Sequence, residues 1–415
     1  MNVLSLFSGC GGMDIGFEGN FKCLKRSINE KLHPSWIKQK DGEFVTVEAT
    51  GFKTVFANDI RDDARTAWVS YFSQSNVDAD KMYHVESIVD LVKRERNGKK
   101  IFPDNIDVVT GGFPCQDFSI AGKRKGFNSD KSHNGKLLEM NEPSVESRGQ
   151  LYMWMREVIS ITQPLMFIAE NVKGLTNLED VKEIIENDFA TAAHGGYLVV
   201  PARILHAADY GVPQSRERVI FFGFRKEALL DNAKNALLEK EIPSKYDPYP
   251  PKTHRFTTEK NYLEKVVSCR EAFVGLEEPD ITNDESQKKY SKAKFMGNHC
   301  QGQTEVKMDC IGPTIRAEHH GNIEFRRLSR EHGGKNEKEL NQGFIERRLT
   351  VRECARLQTF PDEYQFIHSK SKEYSSVSGS AAYKIIGNAV PCVLAYNIAK
   401  HISEKWDLYF GGKVK

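Results

Sequence analysis

What the 415-residue chain lacks narrows its class first. No apolar stretch approaches the ~18 residues that a membrane span requires. The amino-terminal "MNVLSLFSGCGG" has neither a basic leader nor an apolar region long enough for a signal peptide, so a cytoplasmic location is expected. The eight cysteines (10, 23, 115, 269, 300, 310, 354 and 392) include no C-x-x-C pair, which argues against a disulfide framework and against a zinc site. No metal is expected. Net charge is nearly absent, +2 from 59 Lys and Arg against 57 Asp and Glu. That balance neither demands nor forbids nucleic acid, because clustering of charge decides such binding. No internal repeat is visible. The length exceeds the ~250–300 residues at which single cores stop growing, so a second domain is expected.

What is present reads as strands alternating with helices. Apolar strands are expected at 3 to 7, 54 to 59, 106 to 110, 165 to 169, 197 to 204 and 218 to 224, with helical periodicity at 150 to 162 and around 178 to 190. This order predicts an α/β fold, a mainly parallel sheet with helices on both faces. At "IPSKYDPYPPKTH" the texture turns proline-rich and polar, which marks a boundary. The chain divides into 1–250, an irregular segment 251–375, and a carboxyl-terminal segment 376–415 that returns to the first domain. Thr350 and Glu353 have the spacing of a capping box, and a final helix is expected near 390 to 404. Residues 20 to 53 read as an insertion of no evident role.

Ligands of open parallel sheets bind at the carboxyl ends of strands, and the conspicuous motifs fall there. The loop "FSGCGG" lacks the Gly-Lys-Ser/Thr of a phosphate loop, and the dinucleotide spacing fails at Asp14. A loop for close approach to an uncharged or zwitterionic group remains, with Asp59 suited to a ribose diol; a plain tight turn is about as good a reading of the loop alone. The ordered set is more specific. "LFSGCGG", "GGFPCQDFSIAGKRKG", "AENVKGL", "QSRERVIFFGF", "RRLTVRECARLQTFP" and "IGNAVP" together resemble the DNA (cytosine-5) methyltransferase family of the bacterial modification type. The resemblance covers the chain apart from about 20–53 and 251–310. It implies the Rossmann-like fold of S-adenosyl-L-methionine-dependent methyltransferases with a smaller target-recognition domain. The implied partner is double-stranded DNA, in a restriction-modification system whose cognate nuclease acts separately, with the enzyme a monomer.

Chemistry gives the cysteine at the end of a buried strand a purpose. Cytosine C5 attacks a sulfonium methyl only after a nucleophile has added at C6, and a thiolate both adds and leaves readily. By the resemblance Cys115 is that nucleophile, and Pro114 and Gln116 shape its loop. Cys10, Cys23, Cys354 and Cys392 read as small buried hydrophobes. Glu170, directly after the strand at 165 to 169, is placed to meet N3 and the exocyclic amine, with burial raising its pKa. Alternation along a strand puts Arg216 and Arg218 on one face, where they would hold the base carbonyl and a phosphate. A surface ion-pair strand is the rival reading.

The cofactor set is carried over from the resemblance. Phe7 lies where the family has an aromatic beside adenine, Gly9, Gly11 and Gly12 form the close-approach loop, and Asp59 and Ile60 follow the next strand. Gly112, Pro114 and Asn388 complete the set. The family often has an acidic residue before an apolar one at the third strand end; here Ser87-Ile88 stands there, so Ser87 or neighbouring Glu86 is left to meet the adenine amino group. Against DNA the resemblance places Gln116, Ser119, Lys123, Thr314 and Arg316. Residues 287 to 330 carry nine Lys and Arg against four acids, a surplus that suits phosphates. Arg316 is the expected guanine reader, and Lys288, Lys289, Lys292 and Lys294 the phosphate partners. An RNA cytosine-5 methyltransferase of the same fold and a catalytically silent DNA-binding regulator stay open as alternatives. Assays on duplex DNA beside transfer RNA, and cofactor binding without transfer, separate them.

Overall fold

The computed structural model describes residues 1–114, 151–177, 181–257, 262–297, 299–317, 323–372 and 374–412. Cys115, Gln116, Ser119 and Lys123 lie outside the described residues. The first ten strands are β1 (Asn2–Leu6), β2 (Lys22–Leu24), β3 (Ile37–Asp41), β4 (Phe44–Val47), β5 (Lys53–Asp59), β6 (Tyr83–Val85), β7 (Val108–Gly112), β8 (Met166–Val172), β9 (Tyr197–His206) and β10 (Glu217–Arg225). Seven of them form one sheet in the order β6-β5-β1-β7-β8-β10-β9. Neighbours from β6 to β8 pair in parallel, whereas β10 runs antiparallel to both β8 and β9.

Strands apolar on both faces need cover on both, and β10 shows it. Val219 and Phe221 join a core with helices Ile88–Arg96, Leu151–Thr162 and Val181–Ala190. Ile220, Phe222 and Phe224 join the other core, with helices Gly12–Glu18, Asp62–Phe72 and Cys392–Phe410. Each fully buried Val, Ile or Phe contributes about 1.5–3 kcal/mol, so these two layers anchor the strand ends that carry the motifs. The last helix does return onto the first. A Cβ on Gly16 would stand 2.4 Å from Ala395 Cβ and 2.5 Å from Cys392 O, an approach that only glycine permits.

Several elements differ from expectation for physical reasons. β7 starts at Val108, and Asp107 leads into it with its N–H donating to Asn2 O at 3.0 Å and its carboxylate accepting from Asn2 N at 2.6 Å. A further helix, Gly379–Asn388, capped by Ser378, precedes the final helix, which runs to Phe410. The insertion is a small antiparallel sheet, β2-β4-β3, with a bridging task. Trp36 donates to Glu404 on the last helix at 2.7 Å, and Asn29 donates to the carbonyls of Thr253 (2.8 Å) and Tyr262 (2.7 Å).

Beyond 251 regular structure is sparse, and irregular backbone leaves carbonyls that need donors. Arginines of "RRLTVRECARL" supply them. Arg348 donates to Ala293 O and Gly302 O, each at 2.8 Å, and to Ile323 O. Arg347 is held between Glu278 and Glu353, and Arg352 pairs with Asp284. The capping box forms as expected, with Glu353 N donating to Thr350 Oγ1 at 3.0 Å and Thr350 N to Glu353 Oε2 at 2.8 Å.

Candidate active site

Parallel pairing of β7 with β8 sets Gly112 opposite Glu170 at the sheet's edge. Glu170 is thus inside β8, not just after a strand. Its carboxylate leans over the glycine: a Cβ on Gly112 would lie 2.8 Å from Glu170 Oε2. Gly112 therefore lies directly against the acid. One residue further along each strand, Asn171 Nδ2 donates to Phe113 O at 3.3 Å, which fixes the chain leading to Pro114. Glu170 is 7% exposed and pairs with Arg218, Nε to Oε1 at 2.6 Å. A guanidinium thus stands directly against this buried acid.

The reversal of β10 is what brings Arg218 there. Arg218 lies opposite Val172 and Ile220 opposite Glu170, so the beginning of β10 reaches the edge where the parallel strands end. Arg216 precedes the strand and is not paired with Arg218 in one function. It is 1% exposed and donates to the carbonyls of Ile315, Gly387 and Ala389 at 2.9, 2.9 and 2.8 Å. A guanidinium committed to three buried carbonyls is not placed to hold a base carbonyl or a phosphate, so the expected arginine pair separates, Arg218 at Glu170 and Arg216 among backbone carbonyls.

Around the glycine loop, geometry and expectation agree better. Phe7 is half-buried with φ 54°, a left-handed conformation that non-glycine residues adopt at a cost, and such residues gather at functional sites. Gly9 N donates to Asp59 Oδ2 at 3.1 Å, and Tyr83 donates to Gly9 O at 2.8 Å. Burial pushes the Asp59 pKa up, against hydrogen bonds from Arg61 and Gly9 that lower it. Gly11 has φ 78°, and a Cβ there would meet Trp68 Cδ1 at 2.6 Å. A Cβ on Gly12 would meet Val390 O at 2.3 Å, so the turn after exposed Asn388 closes on the loop. Ile60 is 51% exposed beside Asp59, an open apolar face at the strand's end.

The third strand end departs from expectation. Ser87 accepts from Val89 N at 3.3 Å as the N-cap of Ile88–Arg96, and Ile88 is buried in the core. Glu86 is paired with Arg94. One residue escaped sequence reading: Asp14, 1% exposed, accepts from Ser5 Oγ at 2.6 Å and Trp68 Nε1 at 2.7 Å beneath the loop. Burial raises its pKa to about 6 despite those bonds. Its only signal was a carboxylate within an otherwise apolar turn of helix.

In the irregular segment, residues 312–315 dock on 213–216. Ser215 N donates to Gly312 O at 2.8 Å, Ile315 N to Gln214 Oε1 at 2.9 Å, and Thr314 to Ser215 O. Arg316 is paired with Glu324, NH2 to Oε1 at 2.9 Å, and that acid is 5% exposed. The pair ties the Arg316 guanidinium, 26% exposed, to a buried acid, which a guanine contact would have to share or displace. Part of the local surplus of positive charge is paired within the fold. Arg326 and Arg327 meet Glu339 and Glu278, Lys288 meets Glu285, and Lys292 lies 3.4 Å from the Tyr290 ring centroid. Glu278, Glu285 and Glu339 lie outside the window over which the charges were counted.

The C-5 cytosine-specific DNA methylase family matches residues 1–404. Type II methyltransferase M.BsuRI of Bacillus subtilis is 32% identical over 420 residues, covering 99% of this chain and 80% of that protein. Type II methyltransferase M.BspRI of Lysinibacillus sphaericus is 32% identical over 411 residues, 97% of this chain and 81% of that protein. Among solved structures, the Dnmt2 methyltransferase of S. pombe superposes with a TM-score of 0.52 at 19% identity, over 97% of this chain and 99% of that one. The methyltransferase EhMeth of Entamoeba histolytica does so at 0.54 and 15%, over 98% of each. These two likenesses concern the fold. Among the described residues no helix is long and apolar enough to cross a membrane. The chain belongs to the C-5 cytosine-specific DNA methylase family and is a DNA cytosine-5 methyltransferase.

Proposed function

We propose that the chain methylates C5 of a flipped-out cytosine within a short duplex sequence through a covalent bond between Cys115 and C6, as the protective half of a restriction-modification system. The observation that carries this is the convergence of Gly112, Glu170 and Arg218 at one sheet edge, three residues before Cys115. Bringing the target out of the duplex costs a few kcal/mol, which DNA contacts must offset. Cys115 as thiolate adds to C6, and the electron pair displaced from the C5–C6 bond is delocalised toward N3. Glu170 meets N3 and the amino group, and Arg218 holds Glu170 and faces the base carbonyl. C5 then takes the methyl, the C5 proton leaves to a base, and elimination restores the thiolate and the aromatic ring.

The family implies S-adenosyl-L-methionine, and the residues present fit it. Space beside Gly9 is open, since a Cβ there would meet only Asp59 Oδ2 at 4.0 Å, while Gly11 and Gly12 pack the loop onto Trp68 and Val390; Asp59 offers an acceptor and Ile60 an apolar face. Phe7, Gly9, Gly11, Gly12, Asp59, Ile60 and the turn at Asn388 would hold it, and when bound it supplies an electrophilic sulfonium methyl. Residues 1–250 with 376–415 carry the chemistry, and 251–375 carry target recognition. Thr314 serves DNA recognition, and so do Gln116, Ser119 and Lys123 by the resemblance of the motif that holds them. The enzyme acts as a monomer in the bacterial cytoplasm, and the restriction-modification setting, with a separate nuclease, is supported by relatives named as Type II methyltransferases. A duplex library containing 5-fluorocytosine tests the core of this reading. The parent should form a stable adduct and Cys115→Ser none; an adduct on the serine variant removes Cys115 from the role.

A further inference from the structure

The chemistry above leaves Arg216 without a task, although it is among the most deeply buried charged groups of the fold. Among the described residues it forms no ion pair, and its donors go to Ile315 O, Gly387 O and Ala389 O. Those carbonyls belong to the run beside Thr314 and to the "IGNA" helix end. Gln214 repeats the pattern two residues earlier. Its amide accepts from Ile315 N at 2.9 Å and donates to Leu357 O (3.0 Å) and Gln358 Oε1 (2.9 Å), and Gln358 donates to Ile386 O at 2.6 Å and Ala389 O at 3.1 Å. The same helix end touches the cofactor loop, since Cys10 Sγ donates to Ile385 O at 3.2 Å and Val390 O lies against Gly12. A buried cation without a carboxylate is expensive and is retained where an apolar side chain could not do its work. Here only a planar fork with several donors satisfies three carbonyls from two directions.

We infer that Arg216 is a positioning residue that fastens the run 312–317 and the helix end at 385–390 to the start of β10, making sequence reading and base handling depend on one rigid joint. The inference rests on the reading of 251–375 as the recognition segment. Arg218, two residues on, touches Glu170, so slack at Arg216 reaches both the reader and the catalytic acid. Lysine would keep the charge but offers a single point in place of the fork.

The test uses the full-length parent and Arg216→Lys on randomised duplexes, with cofactor affinity measured by calorimetry and amide exchange followed by segment. We expect turnover on the preferred sequence to fall roughly ten- to a hundredfold, as misplacement by an ångström does. Discrimination against single-base variants of that sequence should fall roughly tenfold, the scale of one base contact. Cofactor affinity should stay within about twofold, and exchange should quicken at 312–317 and 385–390 but not in Leu151–Thr162. A Lys variant as selective as the parent, or one slowed equally on every sequence, overturns the inference. A parent that methylates all sequences alike overturns the recognition reading as well, whereas a selective parent with an equally selective variant overturns this inference alone. Should Arg216→Lys not fold, Gln214→Met, which loosens the same run by its Ile315 bond, decides by the same two criteria.

Discussion

Gly112→Ala separates catalysis from stability in one methyl group. Gly112 ends β7 without a left-handed φ, so alanine is conformationally acceptable there and removes freedom from the unfolded chain, worth about 0.4–1 kcal/mol in favour of folding. The new Cβ would stand 2.8 Å from Glu170 Oε2, and ordinary contact begins near 3.4 Å. The carboxylate, as the end of a flexible side chain, must give by at least about half an ångström, and it carries its 2.6 Å bond to Arg218 with it. Displacement on this scale costs a reaction roughly ten- to a hundredfold, or about 1.4–2.7 kcal/mol of barrier. The variant should therefore melt no lower than the parent and bind cofactor equally, yet transfer methyl groups ten- to a hundredfold more slowly in single-turnover quench assays on duplex DNA. Parental turnover would refute the placement of Glu170 at the reacting base. Loss of turnover in step with loss of melting temperature would refute the claim that the effect is local.

Glu170→Gln should lower the single-turnover rate by roughly 10²- to 10⁴-fold with cofactor affinity unchanged, and equal rates would demote the acid to a structural residue. Gly11→Ala combines a left-handed φ of 78° with a Cβ 2.6 Å from the buried Trp68 ring, and a loss of about 2–4 kcal/mol in denaturant melts should accompany weaker cofactor binding; a parental midpoint would contradict the tight loop. Burial would raise the pKa of Glu278, but hydrogen bonds from Arg347 and Arg327 outweigh it and bring the carboxyl from its ordinary 4.5 down to about 2. Because the folded value is the lower one, this carboxylate's stabilisation is complete above about pH 4.5 and disappears as pH falls toward 2, about 3 kcal/mol in all. Melts of the parent and Glu278→Gln between pH 6 and pH 2 should converge as the pH falls, and a constant gap would count against the network.

The sequence by itself determined the alternation of strands and helices, the glycine turn before a buried helix, the capping box at Thr350 and Glu353, and the burial of Cys10, Cys23, Cys354 and Cys392. These rest on periodicity, backbone preference and side-chain polarity within a few residues, which local reading can see. Six ordered motifs also indicated the family. Tertiary structure alone decided the rest. Nothing near "QSRER" announces that β10 runs against β8, and that reversal is what separates Arg218, at Glu170, from Arg216, among three carbonyls. Gly112 looks like one more loop glycine until β8 sets Glu170 across from it. The positive window at 287–330 seemed free for DNA because Glu278 and Glu339, which neutralise Arg327 and Arg326, lie outside it. Strand direction, the acceptor a guanidinium finds and the counter-ion of a charge are set by chain segments tens to hundreds of residues apart, and only folding brings those segments within the few ångströms over which hydrogen bonds and ion pairs act.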